Sequence, residues 1–170
     1  MSTYSYFVVK QPLGWMGLLG TPKGLRRLSL KPEPQAALDA LGPSLESATL
    51  EPKNFGSVLK QIECYFKGEN DALTRIILDV EKSSPFFEAS WQACRSIPAG
   101  ETRSYSWLAA AAGSPGAARA AGQAMARNKI VLIIPCHRVI GSNGKLHGYG
   151  AGGLEVKSRL LALEQGFVFQ

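Results

Sequence analysis

The 170-residue chain is poor in the residues that cross-link small proteins or bind metals. It contains three cysteines, Cys64, Cys94 and Cys136, and two histidines, His137 and His147, and its first sixty residues contain neither type. Three is an odd number, and the spacings fit neither a disulfide framework nor a zinc pattern. We therefore expect no disulfide scaffold, no metal site and no cofactor.

Long apolar segments are missing as well. No run approaches the roughly 18 consecutive apolar residues of a membrane-spanning helix, and the N-terminus lacks a signal-peptide pattern. With 45% hydrophobic and 19% charged residues, the composition is that of an ordinary globular protein. We expect no membrane partner and an intracellular, cytoplasmic location.

Acidic residues are scarce in the C-terminal half. Residues 1–84 contain ten Lys and Arg against nine Asp and Glu, whereas residues 85–170 contain nine against four, so the halves carry +1 and +5 of the net +6. A polyanion such as nucleic acid would be attracted to the C-terminal half. A solvated basic surface remains the common alternative.

Periodicity and turn residues predict three strands, then helices, in the N-terminal part. The strands fall at residues 4–10, 15–19 and 25–30, the first two joined as a hairpin, with a fourth at residues 73–80. The helices fall at residues 35–41 and 55–66, the second ending at Gly68. A boundary within residues 81–84 then predicts two small α/β domains, 1–83 and 84–170.

The second half begins with three predicted helices. Ser84 and Pro85 provide an N-cap and a first helical proline, and Ser104 can cap a helix over residues 105–112 that Gly113 ends. Ser114 and Pro115 predict a further helix over residues 116–126. Two helices joined by a short glycine-containing turn form a helix-turn-helix pattern.

The second helix of that pattern is almost without bulk. It is built from Ala117, Ala118, Ala120, Ala121, Gly122 and Ala124, and only Arg119, Gln123 and Met125 project far. Base reading in the major groove needs several long polar side chains. A bare helix favours close approach to the minor groove without sequence preference, or else tight packing inside the core.

The most unusual stretch reads I-V-L-I-I-P-C-H-R-V-I from Ile130 to Ile140. Its β-branched start predicts a buried strand that Pro135 interrupts. Cys136, His137 and Arg138 follow, either as a small buried thiol, a core imidazole and a surface guanidinium, or as a nucleophile with its partners. Adjacent side chains of an extended chain point apart, so any partnership between Cys136 and His137 must use a turn or a bridging water.

The Pro-Cys-His-Arg-Val motif at residues 135–139 resembles the signature of the O6-alkylguanine-DNA alkyltransferases. The likeness extends from about Phe86 to Glu164, through S-I-P-A-G-E-T-R-S-Y, G-S-P-G-A-A-R-A-A-G-Q-A-M-A-R-N, P-C-H-R-V-I-G and G-Y-G-A-G-G-L. The first eighty-odd residues match loosely. Several ordered motifs at compatible spacings are far more specific than one.

The resemblance implies a ribonuclease-H-like α/β N-terminal domain and a mainly helical, winged-helix-like C-terminal domain with the active cysteine. It implies single-turnover transfer of the alkyl group from O6-alkylguanine to Cys136 in a flipped-out nucleotide, with O4-alkylthymine left open as a second substrate. The expected partner is double-stranded DNA, bound by a monomer through the minor groove with little sequence preference. The protein would then work in the cytoplasm, nucleoid or nucleus, wherever DNA lies.

The residue roles that the resemblance implies fall into three groups. Cys136 is the nucleophile, His137 draws its proton through a water, Glu164 orients His137, and Asn128 ties the DNA-reading helix to the active-site segment. Tyr149 hydrogen-bonds the guanine ring, the backbone of Cys136 and Val139 recognises the exocyclic amine, and Gly150 lies near the substrate oxygen. The residues expected to contact DNA are Tyr105, which crowds the phosphate, Arg119, which fills the stack, and Ala118, Gly122 and Ser142.

The chain departs from the family's sequence pattern at two places, and two other functions are alternatives to alkyl transfer. Relatives commonly carry proline where this chain has Lys129 and Val131, and the loop after Tyr149 is one residue longer. A binding module, either a helix-turn-helix regulator or a lesion sensor, is one alternative, although sensors of this family replace the cysteine. A thiol hydrolase using Cys136 and His137 is the other, and it would need an oxyanion hole and multiple turnover.

Overall fold

The structure is a computed structural model that describes residues 3–167, so the extreme ends of the two predicted domains, residues 1–2 and 168–170, lie outside the described part. The strands are β1 (Ser5–Gln11), β2 (Gly14–Thr21), β3 (Gly24–Lys31), β4 (Thr49–Leu50), β5 (Arg103–Ser104) and β6 (Val139–Ile140). The helices are α1 (Pro34–Asp39), α2 (Gly56–Phe66), α3 (Pro85–Arg95), α4 (Tyr105–Ala111), α5 (Ala118–Ala126) and α6 (Gly153–Glu164).

The described chain divides into two compact units. The first contains residues 3–81 together with 129–131, and the second contains residues 82–128 and 132–167. The first unit carries the larger sheet and the second is mainly helical, which confirms the predicted mixed α/β class. The short segment 129–131 joins the first unit by backbone hydrogen bonds of Lys129 and Val131 to Leu28 on β3.

A four-stranded sheet in the order β3-β2-β1-β4 forms the centre of the first unit. The predicted hairpin is present: β1 and β2 pair antiparallel around Pro12 and Leu13, and β3 continues the meander. Gly14, just after the turn, has a φ of +133°, and a Cβ there would lie 2.7 Å from the carbonyl oxygen of Lys31. The sequence therefore needs glycine at this point of the hairpin.

The predicted strand at residues 73–80 is wrong. Residues 72–75 form a 3₁₀ turn instead, and beyond it Leu78 makes a single parallel bridge to Leu25. Leu73 and Ile76 are buried while Ile77 is 73% exposed. Burial at a spacing of three residues suits a tight turn, whereas a half-buried strand would bury every second residue.

Serine caps fix two helices of the second unit as predicted. The Ser84 hydroxyl accepts a hydrogen bond from the backbone of Phe87, and Ser104 accepts one from Trp107. The Trp91 indole N–H donates to the carbonyl oxygen of Ala124 at 2.8 Å and so links α3 to α5. This bond holds the C-terminal turn of α5 against α3.

Helix α5 begins two residues later than predicted. Its first residue is Ala118, its N-cap is Ala117, and Ser114 makes no capping bond to the helix. Gly113 and Gly116 both adopt positive φ, 91° and 88°. These two left-handed residues lengthen the connection to 112–117, so the helix-turn-helix pair is present with a longer turn than predicted.

The segment before Cys136 is not a strand. Ile130 makes one isolated bridge to Leu28, and the chain then turns at Leu132, whose φ is +74°. The apolar run is buried as a turn, because burial alone does not decide between a strand and another compact form. Cys136–Arg138 forms a 3₁₀ turn, and β6 follows and pairs parallel with β5.

Candidate active site

Cys136 lies at the edge of a cavity of about 950 Å³. The 3₁₀ turn that carries it is closed by a hydrogen bond from the Arg138 N–H to the Pro135 carbonyl at 2.9 Å, and the Cys136 N–H itself donates to the Ile134 carbonyl at 2.8 Å. Its side chain is mostly buried, with 7% of the residue exposed. The thiol is therefore held rigidly with one side open to the cavity.

Asn128 connects the end of α5 to this turn. Its side-chain Nδ2 donates to the Ile134 carbonyl at 2.9 Å and to the Cys136 Sγ atom at 3.3 Å. Asn128 is itself buried. A donor aimed at sulfur stabilises the thiolate more than the thiol, and so favours ionisation.

His137 and Glu164 form a fully enclosed pair. The His137 Nε2 atom lies 2.8 Å from Glu164 Oε2, and the two residues are 0% and 3% exposed. The structure thus brings together two residues that are 27 positions apart. Glu164 is therefore an interior residue of the site.

Arg138 completes this group from the other side. Its Nε and Nη2 atoms donate to the two oxygens of Glu164, both at 2.9 Å, and Nη1 donates to the Ile97 carbonyl at 2.7 Å. The reading of Arg138 as a surface guanidinium is wrong, because three hydrogen bonds compensate its burial. Such a fork fixes both the charge and the orientation of the carboxylate.

The protonation states follow from this arrangement. Burial by itself would raise the pKa of the Glu164 carboxyl, but hydrogen bonds from His137 and the Arg138 guanidinium hold it well below its usual range. Burial lowers the pKa of His137, although Glu164 opposes that shift. Glu164 is therefore ionised and His137 neutral near pH 7, with the imidazole proton on Nε2 and a lone pair on Nδ1.

Two buried polar atoms of the site have no hydrogen-bond partner in the described chain: Nδ1 of His137 and the hydroxyl of Tyr149. The two rings meet edge to face with centroids 6.3 Å apart. Burial raises the pKa of Tyr149 well above its usual value, so the hydroxyl is a donor. One free acceptor and one free donor are thus available to a ligand or a water.

All five residues predicted to contact DNA line the same cavity as Cys136. They lie on α4, on α5 and on the glycine-rich loop (residues 141–152), and they are Tyr105, Ala118, Arg119, Gly122 and Ser142. Tyr149 and Gly150 line it as well. The cavity lining contains no Asp or Glu, and Arg119 adds positive charge, so an anionic ligand meets no repulsion.

The extra residue of the glycine-rich loop does not separate Glu164 from His137. Gly152 and Gly153 both adopt positive φ, 108° and 77°, and the Gly153 N–H donates to the Tyr149 carbonyl at 2.8 Å. Two consecutive left-handed residues form a tight turn that side chains rarely permit. The turn leads directly into α6, whose last residue Glu164 still reaches His137.

Lys157 belongs to this site and was missed from the sequence. It is 1% exposed, and its ammonium donates to the carbonyl oxygens of Val139 at 2.8 Å and His147 at 3.2 Å. A signal was present, since Lys157, Leu160 and Glu164 recur at i, i+3 and i+7 on one face of α6. A lysine at the start of an apolar stripe does not by itself indicate burial, because lysine is ordinarily exposed.

Two kinds of feature are absent from residues 3–167, the part of the chain that the structure describes. None of their helices is both long and apolar enough to span a bilayer. Nor do their His, Cys, Asp and Glu side chains form a group of three or more suited to a metal ion. Cys94 is fully buried, and burial raises the pKa of its thiol well above the usual value, which suits a packing role.

Comparison with known proteins gives a consistent result. Residues 85–166 match the family model described as the DNA-binding domain of 6-O-methylguanine DNA methyltransferase. A methylated-DNA–protein-cysteine methyltransferase of Mycolicibacterium paratuberculosis is 41% identical over 94% of this chain and 92% of its own length. The constitutive enzyme of that name from Bacillus subtilis is 44% identical over 68% of both chains.

Solved structures agree with the sequence matches. The Mycobacterium tuberculosis OGT crystallised in complex with DNA superposes with a TM-score of 0.84 and 38% identity, covering 96% of this chain and 94% of its own. An O6-methylguanine-DNA methyltransferase from Pyrococcus kodakaraensis shares the fold with a TM-score of 0.68 at 22% identity.

Proposed function

The chain belongs to the methylated-DNA–protein-cysteine methyltransferase family, and we propose that Cys136 is the cysteine that accepts the alkyl group. Members of this family repair DNA by moving the alkyl group from a damaged base to the protein, and this chain binds DNA and does the same. The observation that carries the assignment of Cys136 is its position: the sulfur lies at a cavity, beside Asn128, with two unpartnered polar atoms nearby.

The proton of the thiol has an acceptor within the same group. Nδ1 of His137 is buried and unpartnered, and its ring is held through Nε2 by Glu164. We assign His137 as the base, acting through a water, and Glu164 as its positioning residue. Arg138 fixes Glu164 in turn.

The transfer step balances in atoms and electrons. The Cys136 thiolate attacks the alkyl carbon, a sulfur–carbon bond forms, and the bond between that carbon and O6 breaks, with its electron pair passing to the guanine. The Tyr149 hydroxyl donates to the departing ring, and the carbonyl oxygens at Cys136 and Val139 accept from its exocyclic amine. No group of the site suits cleavage of the thioether, so each molecule reacts once.

DNA would be held by the wall of the cavity opposite the loop. We assign the bare face of α5, with Ala118 and Gly122, to the minor groove, without sequence preference. Tyr105 would crowd the phosphate of the extruded nucleotide, and Arg119 would fill its place in the stack. Ser142 and Gly150 would contact the flipped nucleotide from the loop.

The proposal also assigns the two domains, the oligomeric state and the cellular location. We assign DNA binding and alkyl transfer to the second of the two predicted domains, 84–170, whose segment 129–131 packs with the N-terminal α/β domain predicted at 1–83. The protein acts as a monomer in the compartment that holds the DNA, the cytoplasm or nucleoid in a bacterium.

A mass measurement tests this function. Incubation with a duplex containing O6-methylguanine should add one methyl group per molecule, on the peptide that contains Cys136. Cys136→Ala should bind the duplex but gain no methyl, whereas Cys64→Ala and Cys94→Ala serve as matched controls and should react. Methylation of another cysteine, or turnover beyond one methyl per molecule, would contradict the proposal.

A further inference from the structure

Lys157 is enclosed in a way that lysine rarely is, because a buried ammonium must be compensated by several acceptors. Its two hydrogen bonds reach β6 at Val139 and the glycine-rich loop at His147. The ammonium also faces the ring of Tyr105, whose centroid lies 6.0 Å from Nζ. One cation therefore connects three segments of the second unit: β6, the glycine-rich loop and α4.

The charge of this ammonium is not cancelled by a carboxylate. Within residues 3–167 Lys157 forms no ion pair with a carboxylate. The thiols of Cys136 and Cys94 act to raise its pKa, and its own charge acts to lower the pKa of His137. Burial lowers the pKa of Lys157, while these thiols oppose the shift. Carbonyl dipoles and an aromatic face stabilise a cation but leave its net charge in place.

The ammonium binds the carbonyl of Val139, the residue that directly follows the Cys136–Arg138 turn, so its net charge lies beside the segment that carries the nucleophile. Burial raises the pKa of the Cys136 thiol, and the Asn128 hydrogen bond and then the positive charge of Lys157 oppose this rise. His137 does not supply the charge, because burial keeps its imidazole neutral near pH 7. Lys157 is thus the cation that favours the thiolate before any proton has moved.

We propose that Lys157 is a positioning residue of the transfer reaction, which supplies the fixed positive charge for the Cys136 thiolate and holds the Val139 carbonyl in place. The inference rests on the proposed function, since it takes Cys136 as the alkyl acceptor. The hydrogen bond to the Val139 carbonyl and the positive charge can be separated by mutation. An uncharged donor at position 157 can retain the hydrogen bond without the charge.

The test uses the whole chain without DNA, so that changes in DNA attraction do not enter. The rate at which iodoacetamide modifies the Cys136 peptide, followed by mass spectrometry against pH, reports the thiolate fraction. Lys157→Gln retains a donor but no charge, Lys157→Arg retains the charge, and Arg159→Gln removes a charge from the exposed side of the same helix as the matched control.

We expect the three variants to change the rate of Cys136 modification by different amounts. Lys157→Gln should lower the rate near pH 7 about tenfold, equivalent to about one pKa unit, whereas Lys157→Arg should recover most of it. Arg159→Gln should remain within about twofold of wild type, as expected of a solvent-screened charge. A folded Lys157→Gln variant with the wild-type pH profile would overturn the inference.

A reciprocal measurement keeps the inference testable if Lys157→Gln does not fold. Interacting groups shift one another equally, so ionisation of Cys136 must raise the pKa of Lys157. NMR titration of the Lys157 ammonium should therefore give a lower pKa in Cys136→Ser than in wild type, and equal values would refute the interaction. Absence of methyl transfer by the wild-type protein would count against the proposed function alone, because neither titration uses DNA.

Discussion

Arg138 holds both carboxylate oxygens of Glu164 at 2.9 Å, and the same carboxylate faces His137. The arrangement has a consequence for mechanism. With a guanidinium already paired to it, Glu164 stays ionised and does not take the proton of His137, so the imidazole keeps its tautomer. The carboxylate orients the base and stabilises the imidazolium that forms when the thiol proton arrives.

Replacement of Arg138 by methionine tests how much its guanidinium stabilises the buried Glu164 carboxylate. We expect a loss of about 3–5 kcal/mol in the free energy of unfolding, because Glu164 would remain as a buried charge with one partner fewer. Urea denaturation measures the loss. The double variant Arg138→Met with Glu164→Leu should recover part of the stability, and strictly additive losses would show that the two side chains do not act as a pair.

Replacement of Asn128 by alanine should slow the reaction of Cys136 in two ways. It removes the hydrogen bond to Sγ that opposes the burial-raised pKa of the thiol, and it leaves the buried Ile134 carbonyl without that donor. We expect the iodoacetamide profile of Cys136 to move to higher pH and the stability to fall by about 1–3 kcal/mol. Gln123→Ala, at an exposed position of α5, is the matched control and should leave the Cys136 profile unchanged.

The reaction of Cys136 with a small electrophile should still be rising at pH 9. Burial raises the pKa of this thiol above its ordinary value, so the thiolate is a minor species at neutral pH. The profile is measured on the Cys136 peptide with iodoacetamide. A plateau reached below pH 8 would mean that the thiolate is already dominant, contrary to the burial seen here.

Stability should fall on the acid side of neutrality. Burial lowers the folded-state pKa of His137, so the unfolded chain binds the proton more tightly, and the stability present above about pH 6.5 is lost as the pH falls through the lower folded value. Urea unfolding at pH 7.5 and 5.5 should show the loss in wild type. The control variant His147→Gln, at an exposed site, should lose stability between pH 7.5 and 5.5 as the wild type does. His137→Gln should show a smaller pH dependence of the free energy of unfolding.

Gly122→Ala separates stability from DNA binding. Gly122 lies inside α5, and a Cβ there would meet the Tyr105 ring at 3.9 Å, an ordinary contact. The helix should gain about 0.5–1 kcal/mol, seen as a higher melting temperature. If the minor groove lies against this face, affinity for duplex DNA should fall although the protein is more stable, and unchanged affinity would place the groove elsewhere.

The sequence predicted those features that depend on local patterns. Ser84, Ser104 and Gly113 mark helix ends by chemistry that acts within a few residues, and the hairpin before Gly14 depends on its turn. The motif resemblance placed Cys136, His137 and Glu164 in one group, and the structure pairs His137, the residue after Cys136, with Glu164. The catalytic and DNA-contacting roles themselves remain predictions.

Features that depend on distant contacts could not be predicted in this way. The apolar run before Cys136 fits a strand as well as a turn, and only packing selects the left-handed conformation of Leu132. Arg138 and Lys157 are charged residues whose burial is compensated by carbonyls and a carboxylate from elsewhere in the chain. Nothing within their local sequence indicates those acceptors.

The bond from the Trp91 indole to the Ala124 carbonyl gives the protein an internal optical probe. This indole is buried and bound to the backbone of α5, so a displacement of that helix by DNA changes the polarity around the chromophore. With Trp15 and Trp107 replaced by phenylalanine, a single fluorescence emission band would follow the docking of the helix in real time, separately from the chemistry at sulfur.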